Sequence, residues 1–300
     1  MGLRKLFSAW NLVLLLALLT LVLLVVYPMY SIFQASLLDP DTGVFTWNNY
    51  ASVFSTPFYR RCLGNSLFMS GLSTVFSVLI GVPFAFFTTR YRLPGATTLR
   101  TLATLPLILP TFIGAEAWLL LLGRNGIITR QLADFGLHIP SIYGWQGVVL
   151  VFTLQFFPFV FLMVSAAINS VDRSLEEAAR NLGASPWRVF RTVTLPVVTP
   201  AIASGALIVF CMSIENFGVP TIIGNDYKVL AEQAYSEFVS EMGGNPSMAG
   251  TLSTVLVVVT LILTVLQKVW VERKNYAMSS LRPPEIKNLS PLGKKLAWAF

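Results

Sequence analysis

Residues 174–200, SLEEAARNLGASPWRVFRTVTLPVVTP, form a polar, basic stretch set between two long apolar segments. Ser174 and Glu177 match the S-x-x-E capping box, in which serine oxygen and glutamate carboxylate accept backbone N–H groups that a helix start leaves without partners. A helix is therefore expected to begin at Ser174. Leu175, Ala178, Ala179 and Leu182 recur at i, i+3, i+4 and i+7 as one apolar stripe, which turns Glu176, Arg180 and Asn181 to other faces. Gly183 is the expected stop, because glycine enters a left-handed cap without steric cost. Ser185 and Pro186 then read as the cap and first residue of a second short helix carrying Trp187, Phe190 and two arginines. The layout is helix, glycine break, helix. Taken alone, it also fits an ordinary capped hairpin joining two membrane helices.

The flanking sequence fixes the solvent. Hydrophobic residues make up 55% of the chain and charged residues 12%, whereas soluble domains are about 25% charged. A bilayer core of about 30 Å needs roughly 20 apolar residues per helix, and six segments qualify, near 10–33, 65–87, 102–122, 145–168, 197–217 and 248–269. The expected fold is an all-α membrane protein of six transmembrane helices. The first segment is longer than a cleavable signal core, and no small-residue cleavage site follows it, so it is expected to be retained.

Lys and Arg accumulate in cytoplasmic loops. With this threading, sixteen fall on the side that holds both termini and residues 174–200, and five (Arg60, Arg61, Arg124, Arg130 and Lys228) on the other. Both termini and the polar loop are therefore expected to be cytoplasmic. The same bias accounts for most of the net charge of +7 without a nucleic-acid partner. Cys62 and Cys211 stand far apart with no metal-ligand spacing, and His138 is the single histidine, so neither a disulfide nor a metal site is expected. The chain contains no G-x-x-x-x-G-K-[ST] phosphate loop and no nucleophile elbow. It is not expected to be an enzyme or to carry a cofactor, and any ATP-derived energy must come from a partner.

Glu177-Ala178-Ala179, three residues, Gly183, then Leu195-Pro196 resembles the EAA loop in permease subunits of binding-protein-dependent ABC importers. The resemblance implies a type I importer permease in the bacterial cytoplasmic (inner) membrane, with a separate ATPase subunit receiving the loop in a groove. Leu175, Ala178, Ala179 and Leu182 would then supply packing, Glu177 the helix start, Gly183 the turn, and Trp187 with Phe190 a fixed second helix. The other implied partners are a second permease copy or half, a periplasmic or lipoprotein solute-binding protein, and membrane lipid. The competing reading is a passive channel or membrane scaffold that recruits a partner through the loop.

The expected division is residues 1–62 for the first span and outer segment, 63–272 for a five-helix core with the loop at 172–196, and 273–300 for a cytoplasmic tail. In the outer segment, DPDTG is a turn and FTWNNYASVF an interfacial helix, and F-T-x-x-N-Y followed by Leu63-Gly64-Asn65-Ser66 resembles the start of the permease core. Pro83, Pro106, Pro110 and Pro158 each remove a helical hydrogen bond and favour kinks. Gly71, Ser73, Ser77 and Gly81, with Ala201, Ala203, Ser204, Gly205 and Ala206, allow close helix approach. Glu116 and Glu215 lie in or at the edge of spans, roughly 9 and 3 Å inside their outer ends at 1.5 Å per residue. They form either a shared acidic vestibule or structural carboxylates. Ser213 to Pro220, with Ile223-Gly224, resembles the fifth-helix exit of permeases for ferric iron, aminophosphonates and polyamines, which puts Asn216 on the substrate path although relatives often carry aspartate there. Lys294-Lys295 before LAWAF resembles the start of a further helix, as in a permease fused from two halves.

Overall fold

The computed structural model describes residues 9–240 and 244–272. The expectations for the 273–300 tail lie outside them.

The first helix, α1, runs without interruption through Ala9–Leu21, Val22–Val26 and Tyr27–Ser36. Its middle segment is wound as a π-helix and ends two residues before Pro28. Proline has no N–H for the preceding turn, and a wider turn there relieves the clash of its ring with the carbonyl four residues back. After α1, Asp39 Oδ1 accepts from the backbone N–H of Asp41 and Thr42 and from the Thr42 hydroxyl. Those donors, led by the Thr42 N–H, hold its carboxyl below the usual carboxylate range. Gly43 follows at φ +65. The expected turn is present, and a helix, α2 (Asn48–Ser55), forms within the segment expected to be helical.

Helix α3 (Pro57–Arg90) starts well before the span expected near 65 and continues through Pro83. The third span differs more. It is broken into α4 (Ala96–Thr104), a 3-10 turn at Leu105–Leu107, and α5 (Thr111–Leu122), followed by α6 (Ile127–Asp134). The two arms meet at 109°. Pro106 and Pro110 withdraw two N–H donors within one turn, which permits a sharp bend where the sequence suggests a kink. Helix α7 (Trp145–Asn169) is the most buried of the long apolar helices and continues through Pro158. After α8 (Arg173–Asn181), the chain forms α9 as one continuous rod, Pro186–Ile214. The second loop helix is thus the first turn of a span. A π-helical stretch at Phe190–Thr194 again ends two residues before a proline, Pro196. Helices α10 (Gly218–Ile223), α11 (Leu230–Val239) and α12 (Pro246–Glu272) complete the described chain.

Helices α3, α7 and α9 form the centre of the bundle. Val148, Val151, Phe152, Val160, Phe161 and Val164 of α7 are buried against both neighbours. The closest approaches occur at glycine. A Cβ on Gly81 would lie 2.9 Å from Val160 Cβ, and one on Gly205 would lie 2.8 Å from Val160 Cα. Of the small residues noted in the sequence, these two set the crossing, whereas Gly71 has nothing within 4 Å. Gly250 of α12 makes a similar contact with the Ile32 carbonyl oxygen of α1.

Candidate functional site

The polar loop lies between α7 and α9, where the end of α7 meets the end of α3. Its first helix is capped by Asp172 and not by Ser174: Asp172 has extended backbone angles, and its side chain accepts the Ser174 N–H at 2.9 Å. Aspartate is as good a cap as serine, and its charge also complements the positive end of the helix dipole. The capping-box role assigned to Glu177 therefore falls away, and Glu177 sits half-buried inside the first turns.

The remaining loop chemistry is as expected. Gly183 adopts φ +81. Its N–H donates to Arg180 O at 2.8 Å and the Ala184 N–H to Ala179 O at 3.1 Å, the paired bonds of a Schellman cap. Ser185 Oγ accepts from the Arg188 N–H, with Pro186 at the first helical position. Trp187 stacks on Phe190 at 5.5 Å between ring centroids, and Phe190 meets Phe86 of α3 edge-on at 5.1 Å. That contact fixes the start of α9 against α3.

The stripe of Leu175, Ala178 and Leu182 faces outward, while Ala179 is half-buried. Leu182 is 89% exposed and Trp187 68% exposed. Both side chains therefore lie outside the packing that this chain provides for itself.

Glu176 does the opposite of what the sequence suggests. It is turned inward and is 5% exposed. Arg90, the last residue of α3, is 4% exposed and grips it with both terminal nitrogens, Nη1 donating to Oε2 at 3.1 Å and Nη2 to Oε1. Thr194 of α9 donates its hydroxyl to Glu176 Oε1 at 3.0 Å. Arg180 Nη2 lies 3.7 Å from Oε2. A buried carboxylate is tolerated only when paired and hydrogen-bonded in this way. Asp172, Glu176, Arg90 and Thr194 carried no role in the sequence reading. The available signal was a charged residue in the last turn of a long apolar helix, 86 positions from its partner.

The opposite end of the bundle holds the other candidates. Glu215 follows the last residue of α9 and lines a cavity of about 580 Å³ with Ser31, Ala35, Tyr235, Phe238 and Gly250. Glu116 is exposed on α5 and does not contribute to that wall. The two carboxylates are thus not gathered in one cavity, although α5 and the chain after α9 touch through Phe112 and Phe217, 5.4 Å apart. Asn216 is engaged in structure, its Oδ1 accepting the Val219 N–H at 3.1 Å at the start of α10. Among the described residues, no three His, Cys, Asp or Glu side chains converge to hold a metal ion.

Residues 77–275 match the family model described as binding-protein-dependent transport system inner membrane component. The ferric transport system permease protein FbpB of Actinobacillus pleuropneumoniae is 30% identical over 270 residues, covering 88% of this chain and 39% of that protein. The chain therefore spans about two fifths of the length of that relative. The molybdenum transport system permease protein ModB of Escherichia coli K12 is 38% identical over 162 residues, covering 53% of this chain and 70% of ModB. In fold, a crystallised bacterial ABC transporter involved in import of the acidic polysaccharide alginate superposes with a TM-score of 0.74 at 20% identity, over 90% of this chain and 98% of that one. The inward-facing MetNI methionine ABC transporter gives 0.59 at 22% identity, over 74% and 99%.

Proposed function

The chain belongs to the family of binding-protein-dependent transport system inner membrane components, and we propose that it is the membrane-spanning permease subunit of an ATP-driven importer. It receives a small solute from a binding protein and passes it inward along the interface with a second permease copy or half. Its loop rests on a separate cytoplasmic ATPase. The observation that carries this reading is the outward apolar face of the loop, with Leu182 89% exposed and Trp187 68% exposed at the head of a helix that continues into a span.

ATP-driven closure of the ATPases would push on Trp187 and Leu182. Because Trp187 belongs to the same rod as the rest of α9, the push travels along a span as a rigid-body movement. Ferric iron is the solute we favour, on the likeness to FbpB and on the exposed carboxylates Glu116 and Glu215. The likeness to ModB supports the rival, an oxyanion.

The test is to purify the chain with its ATPase and binding protein, identify the retained metal or anion by mass spectrometry, and measure uptake into proteoliposomes. Iron on the binding protein and uptake that requires ATP are expected. Molybdenum or sulfate there would replace the solute, and equilibration without ATP would overturn the importer in favour of a passive channel.

A further inference from the structure

The loop helix is tied to two spans through one carboxylate. Glu176 accepts from Arg90 at the end of α3 and from Thr194 in the π-helical stretch of α9, while Phe190, four residues earlier on α9, packs on Phe86 of α3. All three polar side chains are buried. We propose that Arg90, Glu176 and Thr194 form a clasp that makes α8 and the adjoining ends of α3 and α9 move as a single rigid unit. In this proposal they are positioning residues for the transport stroke, and the proposal rests on the reading of α8 as the ATPase contact.

Three physical arguments support it. First, α8 is only nine residues long, too short to be a stable rod in water on its own. A push on its outer face reaches the membrane only if its inner face is fastened. Second, a guanidinium meeting a carboxylate through two parallel bonds fixes orientation as well as distance, which a single apolar contact does not. Third, buried ion pairs contribute little net stability against well-packed apolar residues, and their best-attested role is in fixing geometry. The clasp also lies beside a weak point. The π stretch at Phe190–Thr194 is a wide turn of the kind found at functional sites, and without Thr194 held to Glu176 it could absorb the push on Trp187 as a local bend.

The complete assembly, with ATPase, second permease half and loaded binding protein in proteoliposomes, allows the test. Three readouts are needed: thermal midpoint, bound ATPase, and solute moved per ATP hydrolysed. Glu176→Gln strands the Arg90 charge and is expected to lower the midpoint and the transport ratio together. The double variant Arg90→Met with Glu176→Met leaves no buried charge alone. It is expected to recover the midpoint and retain the ATPase, yet to move about tenfold less solute per ATP, because apolar contact does not fix orientation. A merely structural pair predicts that stability and coupling recover together, and that result would overturn the clasp. Thr194→Val, nearly isosteric, is the second variant should the double one fail to assemble. A midpoint lowered by several degrees, as for one lost hydrogen bond, with a several-fold lower ratio is expected, and an unchanged ratio overturns the proposal. Failure of the unmodified chain to bind any ATPase would sink the importer reading and the clasp with it, whereas a coupled parent beside a fully coupled double variant sinks the clasp alone.

Discussion

Gly205→Ala tests the packing of the bundle with a magnitude that the structure supplies. The added Cβ would lie 2.8 Å from Val160 Cα and 3.4 Å from Val160 N and Cγ2. Carbon atoms rest at about 3.5 to 4.0 Å, so α7 and α9 must separate by about 1 Å at their crossing. Overpacking of this kind costs about 1 to 3 kcal/mol. Glycine-to-alanine exchange within a helix also returns about 1 kcal/mol of backbone propensity. Gly71→Ala serves as the control, because Gly71 lies inside α3 with nothing within 4 Å. The propensity gain is common to both variants, so the difference between them isolates the clash. Reversible unfolding in mixed micelles should place Gly205→Ala about 1 to 3 kcal/mol below Gly71→Ala. The nearest atom is backbone, so trimming the neighbour with Val160→Ala should not restore the loss. Equal stability of the two glycine variants, or full rescue by Val160→Ala, would refute the assignment of the crossing to Gly205.

Gly183→Val places a β-branched residue at φ +81, which costs about 1 to 2 kcal/mol. ATPase recovered with the purified chain should fall roughly five- to thirtyfold while membrane insertion persists, and normal uptake by this variant would dismiss the coupling role. Glu116→Gln and Glu215→Gln should each weaken uptake of a cationic solute at unchanged protein level, the second more strongly because Glu215 lines a cavity of about 580 Å³ to which Glu116 does not contribute. Unaltered uptake kinetics in both would return them to a structural role.

The spans were legible because lipid imposes a length and a composition that few other environments demand. Five helices meet both requirements among the described residues, and the bent pair at residues 96–134 makes a sixth only if its two arms count as one broken span. The prolines located the break in that third span, but its angle of 109° depends on how α5 lies against α7 and α10. Local sequence holds no record of that packing. Gly183 and Ser185-Pro186 were legible for the opposite reason: backbone angles there are decided within a few residues. The start of α8 was ambiguous. Asp172 and Ser174 are both good caps two positions apart, and the S-x-x-E match favoured the wrong one.

The orientation of α8 was the hardest property to infer, and the reason bears on function. A surface helix ordinarily turns its apolar stripe to the core and its charges outward. In α8 the carboxylate of Glu176 points into the protein and Leu175 and Leu182 point out. Sequence periodicity identifies a stripe but not the direction it faces, because that depends on what waits on each side. On the inner side is Arg90, whose guanidinium at the end of α3 could not be left unpaired at 4% exposure. On the outer side, burying a side chain such as Leu182 would return about 1.5 to 3 kcal/mol, which this chain alone forgoes. A helix mounted with these faces reversed retains that loss until a second surface covers it. The inversion thus links the buried ion pair to the docking role proposed for the loop: Arg90 is paired by Glu176 in the interior, and that arrangement leaves Leu175 and Leu182 on the outer face. Removing the inward pull should therefore weaken docking as well as coupling when only one charge of the pair is removed, and leave docking intact when both are.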